Sequence, residues 1–399
     1  MNKKLIYGLS TILAFGFIDG AEAKYYSKVN NVFKTAENGY QKSEDDYQDF
    51  KNDLQKDAGI TYDGVISILG QRGSPSGQIT PFQVQYYGEA DWEAFQSEDI
   101  GTGSFQVSYT SNRYMKHKRD GDALGGNIGV VSGINDYTSN HNYFNQLTYT
   151  HQLPDDMKWL SATFGQFPLY LFDGNPYAAN QQTQFVNDSF SQNATDTYPS
   201  AGIGAFVTVA PTDEWSATVG YQDAQNISGT EIKTGTMTSG KYTSFGQVAF
   251  MPKISGLGQG YYSAMVYYQP SVKAQPENSY GWSLNLAQDI GKKWAVFSRI
   301  NSSSHSSGLK QSYVLGAVYK DPFDRGNSLD GIGFAGGINK INKDIYPDSR
   351  KRESVLESYL NFGIGNNLLL TPDVQMYIKP AQSDSDTAFV YSLRATLLF

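Results

Sequence analysis

Asp386 to Phe399 reads DTAFVYSLRATLLF. Taken backwards in steps of two, Phe399, Leu397, Ala395, Leu393, Tyr391 and Phe389 are apolar, while Thr396, Arg394, Ser392 and Ala388 fall between them. A period of two marks an extended strand with two different faces. The stretch stops on an aromatic residue with no polar tail after it. An unpaired strand edge invites aggregation, and a barrel removes the edge by pairing its last strand with its first. Phe389, Tyr391, Leu393, Leu397 and Phe399 are therefore expected to belong to a barrel-closing strand, with Leu393, Leu397 and Phe399 facing lipid and Arg394 facing water inside.

The same alternation begins at Ile60 and recurs to the end. Phe105, Val107 and Tyr109 alternate with Gln106, Ser108 and Thr110; Trp215, Ala217, Val219 and Tyr221 alternate with Ser216, Thr218, Gly220 and Gln222; Trp294, Val296 and Ile300 oppose Arg299 and Asn301. Each run is about nine to eleven residues, enough to cross a bilayer at a tilt. The apolar faces begin or end on Trp, Tyr or Phe, as interfacial aromatic girdles do. A soluble sandwich cannot pack so many strands around one core, so the apolar face calls for lipid. About seventeen candidate strands can be marked, but single-chain bacterial barrels have an even number. The surplus lies in Leu124–His151, where two short candidates flank a polar loop, and sixteen strands are expected. Tight links such as Pro211-Thr212-Asp213-Glu214 and Gly291-Lys292-Lys293 alternate with long ones such as Asp223–Lys241 and Ile341–Arg352. That asymmetry is the outer-membrane arrangement, with the long loops outside the cell.

Composition agrees. The chain has 29 Tyr, 22 Phe and 40 Gly, with 18% charged residues. A mean hydropathy of −0.45 argues against a helical membrane protein, whereas a barrel hides its polarity inside. The net charge of −8 argues against nucleic acid, whose binders carry basic patches. With no cysteine there is no disulfide framework or thiol chemistry.

Before the strands come two other segments. Residues 1–23 read as a secretory signal: Lys3 and Lys4, an apolar run from Leu5 to Ile18, then Ala21-Glu22-Ala23 as a cleavage site. The apolar run falls short of the ~20 residues of a spanning helix. In residues 24–58, Tyr26, Val29, Phe33, Ala36, Tyr40, Tyr47, Phe50 and Leu54 follow a heptad-like seam. A single amphipathic helix on or in the barrel and a short three-copy coiled coil both fit it. The domain plan is thus a signal at 1–23, a helical segment at 24–58 and a pore at 59–399.

Chemistry-bearing motifs are sparse. There are four His, and His305 sits in the serine-rich run Ser302–Ser307 with no Gly-x-Ser-x-Gly elbow nearby. A hydrolase needs a Ser–His pair with an orienting group, so no catalytic residue and no cofactor are assigned. Asp120-Gly121-Asp122 lacks the remaining ligands of a calcium loop, and no metal site is assigned. Inward charges are tolerated only where the lumen is wet. Arg113, Arg299, Glu357, Arg394, Asp373 and Lys379 lie on polar faces and are the pore-lining candidates.

The longest interruption, Leu171–Ser200, holds Phe172, Tyr177, Phe185, Phe190 and Tyr198. A loop of this length in a compact architecture is usually functional or disordered. Folded inward, it would narrow the pore and offer rings for sugar C–H faces; equally, the rings can pack the loop against the wall.

Phe185-Val186-Asn187-Asp188-Ser189-Phe190, Tyr198-Pro199-Ser200-Ala201-Gly202-Ile203-Gly204 and Trp215 resemble the carbohydrate-selective porins of the OprB type. So do Tyr319-Lys320-Asp321-Pro322-Phe323, the run from Arg352 to Tyr359, Leu370 to Pro380, and Leu393 to Phe399. The resemblance covers roughly residues 50 to 399. It implies a bacterial outer-membrane channel of sixteen strands that passes small solutes, sugars among them. It also implies a homotrimer, contact with outer-membrane lipid and lipopolysaccharide, and a terminal aromatic read by the barrel assembly machinery. Where the family carries a Trp-Gly-Gly motif ahead of its first strand, this chain has Gln48–Leu54. A general porin and a barrel-based adhesin remain the alternatives.

Overall fold

The computed structural model describes residues 46–75, 79–115, 119–225, 230–306 and 308–399. The expected signal and residues 24–45 of the helical segment lie outside them. Residues 46–58 form one helix, α1.

Sixteen strands close into an antiparallel barrel. In chain order they are β1 (Ile60–Ser74), β2 (Phe82–Ser97), β3 (Gly101–Tyr114), β4 (His141–Gln152), β5 (Leu160–Phe167), β6 (Gly202–Thr212), β7 (Trp215–Asp223), β8 (Tyr242–Phe250), β9 (Gly258–Gln269), β10 (Ser279–Ile290), β11 (Trp294–Ser303), β12 (Leu309–Lys320), β13 (Gly331–Ile341), β14 (Arg352–Ile364), β15 (Leu368–Ile378) and β16 (Thr387–Leu398). Closure runs along β1 and β16, from Val65↔Leu398 to Ser74↔Phe389. The two-residue stretch Lys253–Ile254 pairs only with the start of β9 and is no part of the wall.

The ambiguous stretch resolves into one strand, not two. His141–Gln152 is β4, while Gly121–Ile128 is a helix, α2. Asp120 caps α2, its side chain accepting from the Ala123 amide at 2.9 Å. The acidic Asp120-Gly121-Asp122 turn is therefore a helix start. Gly129 ends α2 at φ 76°, and a Cβ there would meet the Ser383 Cβ at 2.6 Å, so glycine is required twice over.

The alternation sorts the two faces. On β16, Ala388, Val390, Arg394 and Thr396 point inward and are buried, while Tyr391, Leu393 and Leu397 point outward and are exposed. Leu315 and Val219 are 68% and 63% exposed on the outer face. Leaving such side chains in water forfeits about 1.5–3 kcal/mol each, so this face requires an apolar solvent. Aromatic belts edge it. Near the short-turn end, Trp92 stacks on Phe105 at 5.7 Å and Trp215 on Phe250 at 4.4 Å. Near the long-loop end, Tyr221 meets Tyr242 at 5.6 Å and Tyr268 meets Tyr280 at 4.9 Å. The Phe399 ring stacks on Tyr86 at 6.4 Å and fills the space a Cβ on Gly64 would occupy.

β1 begins and β16 ends on the short-turn side, and α1 docks there. Lys51 pairs with Asp63 at 2.8 Å and lies 5.0 Å over the Tyr62 ring, beside a Tyr47–Tyr62 contact. The core is inside the barrel. Leu124, Ile128 and Ile134 together with Phe185 and Phe190 pack against Phe297, Val314, Val355, Tyr359 and Tyr377 of the wall.

Candidate functional site

Two segments fold inward from the long-loop end and set the shape of the lumen. One spans residues 168–201 between β5 and β6; the other, residues 129–140, follows α2. Each leaves the wall because the chain must cover apolar inner-wall residues such as Phe297 and Tyr359. Each is tied down by charged side chains from the strands.

Arg299 of β11 is 1% exposed. Its Nε donates to Asn285 Oδ1 at 2.8 Å, and its Nη1 and Nη2 donate to the carbonyls of Phe190 and Asp173 at 3.1 and 3.2 Å. The Asp173 carboxylate accepts from Ser283, Asn285, Asn193 and Tyr198. Glu357 of β14 accepts the amides of Val186 at 2.5 Å and Asn187 at 3.0 Å. Arg394 of β16 donates to the carbonyls of Gln184, at 2.9 Å, and Gln181. Glu353, four residues before Glu357 on the same face, takes the Ser132 amide and hydroxyl, both at 2.6 Å, and the Ala381 amide at 3.0 Å. A carboxylate accepting backbone N–H groups and a guanidinium donating to carbonyls make charge-assisted bonds, about twice as strong as neutral ones.

The expected pore-lining residues thus separate. Arg299, Glu357, Arg394 and Asp373 are on the inner wall, but all four are buried, the first three beneath the inward loop. Arg394 meets loop carbonyls, not lumen water. Arg113 is a correction: it is exposed on the outer face. It shares the parity of Phe105 and Val107, and the irregularity between Ser108 and Tyr109 places the extra residue on β4, so the alternation of β3 continues unbroken. Lys379 is in the turn after β15, at φ 54°, with its amide on the Asp386 carbonyl.

The loop aromatics separate too. Phe185 and Phe190 are fully buried and touch each other at 5.6 Å. Phe172 packs on Phe206 and Phe245, at 5.1 and 4.8 Å. Tyr198 meets Tyr267 edge-on at 4.9 Å. Tyr177 is different: its hydroxyl donates to Asp289 and accepts from Lys320 Nζ at 2.9 Å, with that ammonium 4.9 Å from its ring centre.

A second polar wall lies on the short-turn side, with Gln106, Thr150 and Thr208 partly exposed and Thr148, Thr163 and Thr218 buried. Thr148 and Thr150 both donate to Gln106 Oε1, at 2.9 and 3.0 Å; Thr150 pairs with Thr163 and Thr208 with Thr218, both at 2.9 Å. Among the described residues no hydrogen bond from the inward loops reaches these side chains. Beside them Asp63, Glu89 and Asp91 line a recess of about 230 Å³ with Gln106 and Gln146. At the inner edge of the loops stand Asp136 and Asp188. Burial pushes the Asp136 carboxyl up to about 7, against hydrogen bonds from Ser191 and Gln192 that pull it down. Burial and then the Asp136 charge hold Asp188 well above the usual carboxylate range.

Glu353, Asp173 and the threonines were not singled out from the sequence. Glu353 shares the parity of Glu357 and was within reach of the same reasoning; Asp173 had no local signal. Ser304 Oγ and His305 Nδ1 do meet, at 3.1 Å, with Glu277 3.4 Å from the ring. They lie on the exposed loop after β11, and Ser304 Oγ already accepts the Tyr280 amide at 3.0 Å.

A family model described as carbohydrate-selective porin, OprB family, matches residues 230–399. Porin AaxA of Chlamydia abortus is 38% identical over 308 residues, 76% of this chain and 67% of that protein. Porin AaxA of Chlamydia pneumoniae is 36% identical over 326 residues, 80% of this chain and 73% of that protein. Among solved structures, Pseudomonas putida OprB superposes with a TM-score of 0.70 at 18% identity, covering 89% of this chain and 97% of its own. Salmonella typhi OmpF gives a TM-score of 0.55 at 10% identity, covering 85% and 97%. At these identities the solved structures speak for the fold.

Proposed function

This chain belongs to the carbohydrate-selective porin family of the OprB type and is an outer-membrane porin, and from that premise we propose that it acts as a channel rather than an enzyme and that its preferred cargo is neutral, hydroxyl-rich solutes of sugar size. The observation that carries this reading is the polar wall on which Thr150, Thr208 and Gln106 are partly exposed, backed by the buried hydroxyls of Thr148, Thr163 and Thr218. A threonine hydroxyl both donates and accepts, and an amide offers both roles at its two ends. Such a wall exchanges hydrogen bonds with a sugar ring at each step without holding an ion. The rings of the inward loop serve mainly to pack it; Tyr177, partly exposed and bonded to Asp289 and Lys320, is the ring we assign to solute contact.

Liposome swelling with sugars against zwitterionic amino acids of equal size tests the reading; faster sugar entry is expected. Equal rates would leave a general porin, a second reading favoured by Asp63, Glu89 and Asp91 at the mouth, which would sort small solutes by charge alone. The homotrimer expected from the resemblance belongs to this proposal and is checked by light scattering of the detergent-solubilised protein.

A further inference from the structure

Cations at the long-loop rim of the outer wall are mostly single or paired with an anion. Arg72 and Arg113 are exposed opposite Tyr391 and Val84. Lys310 is held by Asp344 at 2.7 Å, and Arg350 donates to the Asp384 carbonyl at 3.2 Å. Lys340 and Arg352 break the pattern. They are direct cross-strand partners on β13 and β14, and both are exposed. They point outward, because the alternating Asn339 and Glu353 point inward at 0% and 1% exposure. Among the described residues neither side chain has a hydrogen bond or an ion pair. Asp344, the nearest carboxylate in sequence to Lys340, is taken up by Lys310. Like charges placed directly opposite on a sheet are destabilising, so an unneutralised pair here needs a reason.

A groove lies directly below the pair toward the membrane centre. The register aligns Leu315, Gly336, Leu356, Met376 and Phe389 in one outward row across five strands. Gly336 is four residues from Lys340 and Leu356 four from Arg352, about 13 Å along the strands at ~3.3 Å per residue. Because Gly336 has no side chain, the row sinks into an open recess of about 700 Å³, walled by Phe334, Leu356, Val374, Met376 and Phe389. Two cations at the membrane rim above an apolar channel match a molecule with an anionic head and a hydrocarbon tail.

We propose that Lys340, Arg352 and the groove at Gly336 form a binding site for a phosphate-bearing lipid of the outer leaflet. The phosphate sits between the two cations, and one acyl chain runs along Gly336. Arginine's planar fork binds phosphate oxygens in pairs and lysine adds a point charge; a phosphate there relieves the repulsion between them. Basic clusters at a membrane surface attract anionic lipid by the same electrostatics. An apolar protein partner would cover the groove but leave both charges unneutralised.

Native mass spectrometry of the full mature chain in mild detergent, titrated with bis-phosphorylated lipid A, tests the site. One lipid per chain is expected at low occupancy. K340Q/R352Q should weaken binding at least tenfold, and Gly336→Leu, which keeps both charges, several-fold. Lipid A stripped of its phosphates should bind the native protein no better than the phosphorylated lipid binds the double variant. Arg72→Gln with Arg113→Gln removes the same net charge elsewhere on the rim and should leave binding intact. Undiminished binding by K340Q/R352Q, equal binding of the dephosphorylated lipid, or an equal loss in the Arg72/Arg113 control would overturn the site. Loss of a protein oligomer in Gly336→Leu with lipid binding unchanged would overturn it too, by giving the groove to a second copy. Each variant's heat-modifiable gel shift confirms that the barrel has closed.

Discussion

Two arcs of one inner wall, built from the same alternating strands, serve opposite purposes. From β10 round to β16 the wall is covered. Its polar side chains, Arg299, Glu353, Glu357 and Arg394, are spent on the backbone of the inward loops, and apolar residues such as Phe297 and Tyr359 fill the gaps between them. On the short-turn side from β3 to β7, among the described residues, the threonines and Gln106 are bonded to one another and not to the inward loops, with Thr150, Thr208 and Gln106 partly exposed. Charge marks the covered arc and neutrality the other. A charged residue on a barrel's inner face is therefore as much a sign of what the protein holds as of what it conducts.

The covered arc breaks most severely at Arg299. Removing one partner from a buried, charged network costs about 3–5 kcal/mol, and Arg299→Met leaves the Phe190 and Asp173 carbonyls and Asn285 Oδ1 without their donor. A lowered Tm and larger, noisier single-channel currents in planar bilayers are expected. A variant with native Tm and native conductance would mean that the loop is held elsewhere.

Glu357→Gln comes next. The amide keeps the size but loses the charge that accepts the Val186 and Asn187 N–H groups. Compromising a buried acceptor costs about 1–3 kcal/mol, and conductance should rise less than in Arg299→Met. Glu353→Gln provides the comparison, because it loosens residues 131–132 and Ala381 and leaves the 181–190 stretch in place. If both variants changed conductance equally, the two loops would act as one unit.

The strands were legible because a bilayer imposes period two over every wall residue, and the last strand shows this as clearly as any. What covers a face was not. Parity puts Arg394 and Glu357 on the inner face, where both are buried, but water and a loop carbonyl are equally compatible with an inward polar residue. Arg113 was misplaced although its own strand's parity, set by Phe105 and Val107, gave the outward answer. Of the two short candidates in Leu124–His151, the first falls at a helix, Gly121–Ile128, because short apolar runs with glycine do not separate helix from strand; the cap at Asp120 is the available signal. Asp173 gathers partners more than a hundred residues away, and no local pattern announces such contacts.

Acidity probes the boundary between the arcs. Asp136 titrates at about 7 in the fold, above its ordinary value of 3.8. A carboxyl raised in the folded state favours its protonated form there. That contribution to stability is complete below about pH 4 and is lost as pH rises through about 7. Between pH 5 and 8 the loop edge thus gains negative charge and packs less firmly. Reversal potentials in a salt gradient should show greater cation preference at pH 8 than at pH 5, with more open-channel noise. Asp136→Asn should remove part of that difference; a variant with the native pH profile would move the titration to Asp188 or Asp196, whose carboxyls burial also raises.

The smallest effect on conductance is expected on the threonine arc, and it separates cargo from structure. Thr150 and Thr208 are partly exposed hydroxyls bonded to the buried Thr163 and Thr218. Replacing both by valine keeps the shape and should lower stability by about 1–3 kcal/mol for each buried hydroxyl left unpaired. Small-ion conductance should stay native, because pore width is set by the loops on the other side. Sugar entry in the swelling assay should slow two- to threefold relative to amino acids. A loss shared equally by ions and sugars would point to a narrowed pore. Unchanged sugar entry would leave the threonine wall a passive surface and return solute choice to the loop carboxylates.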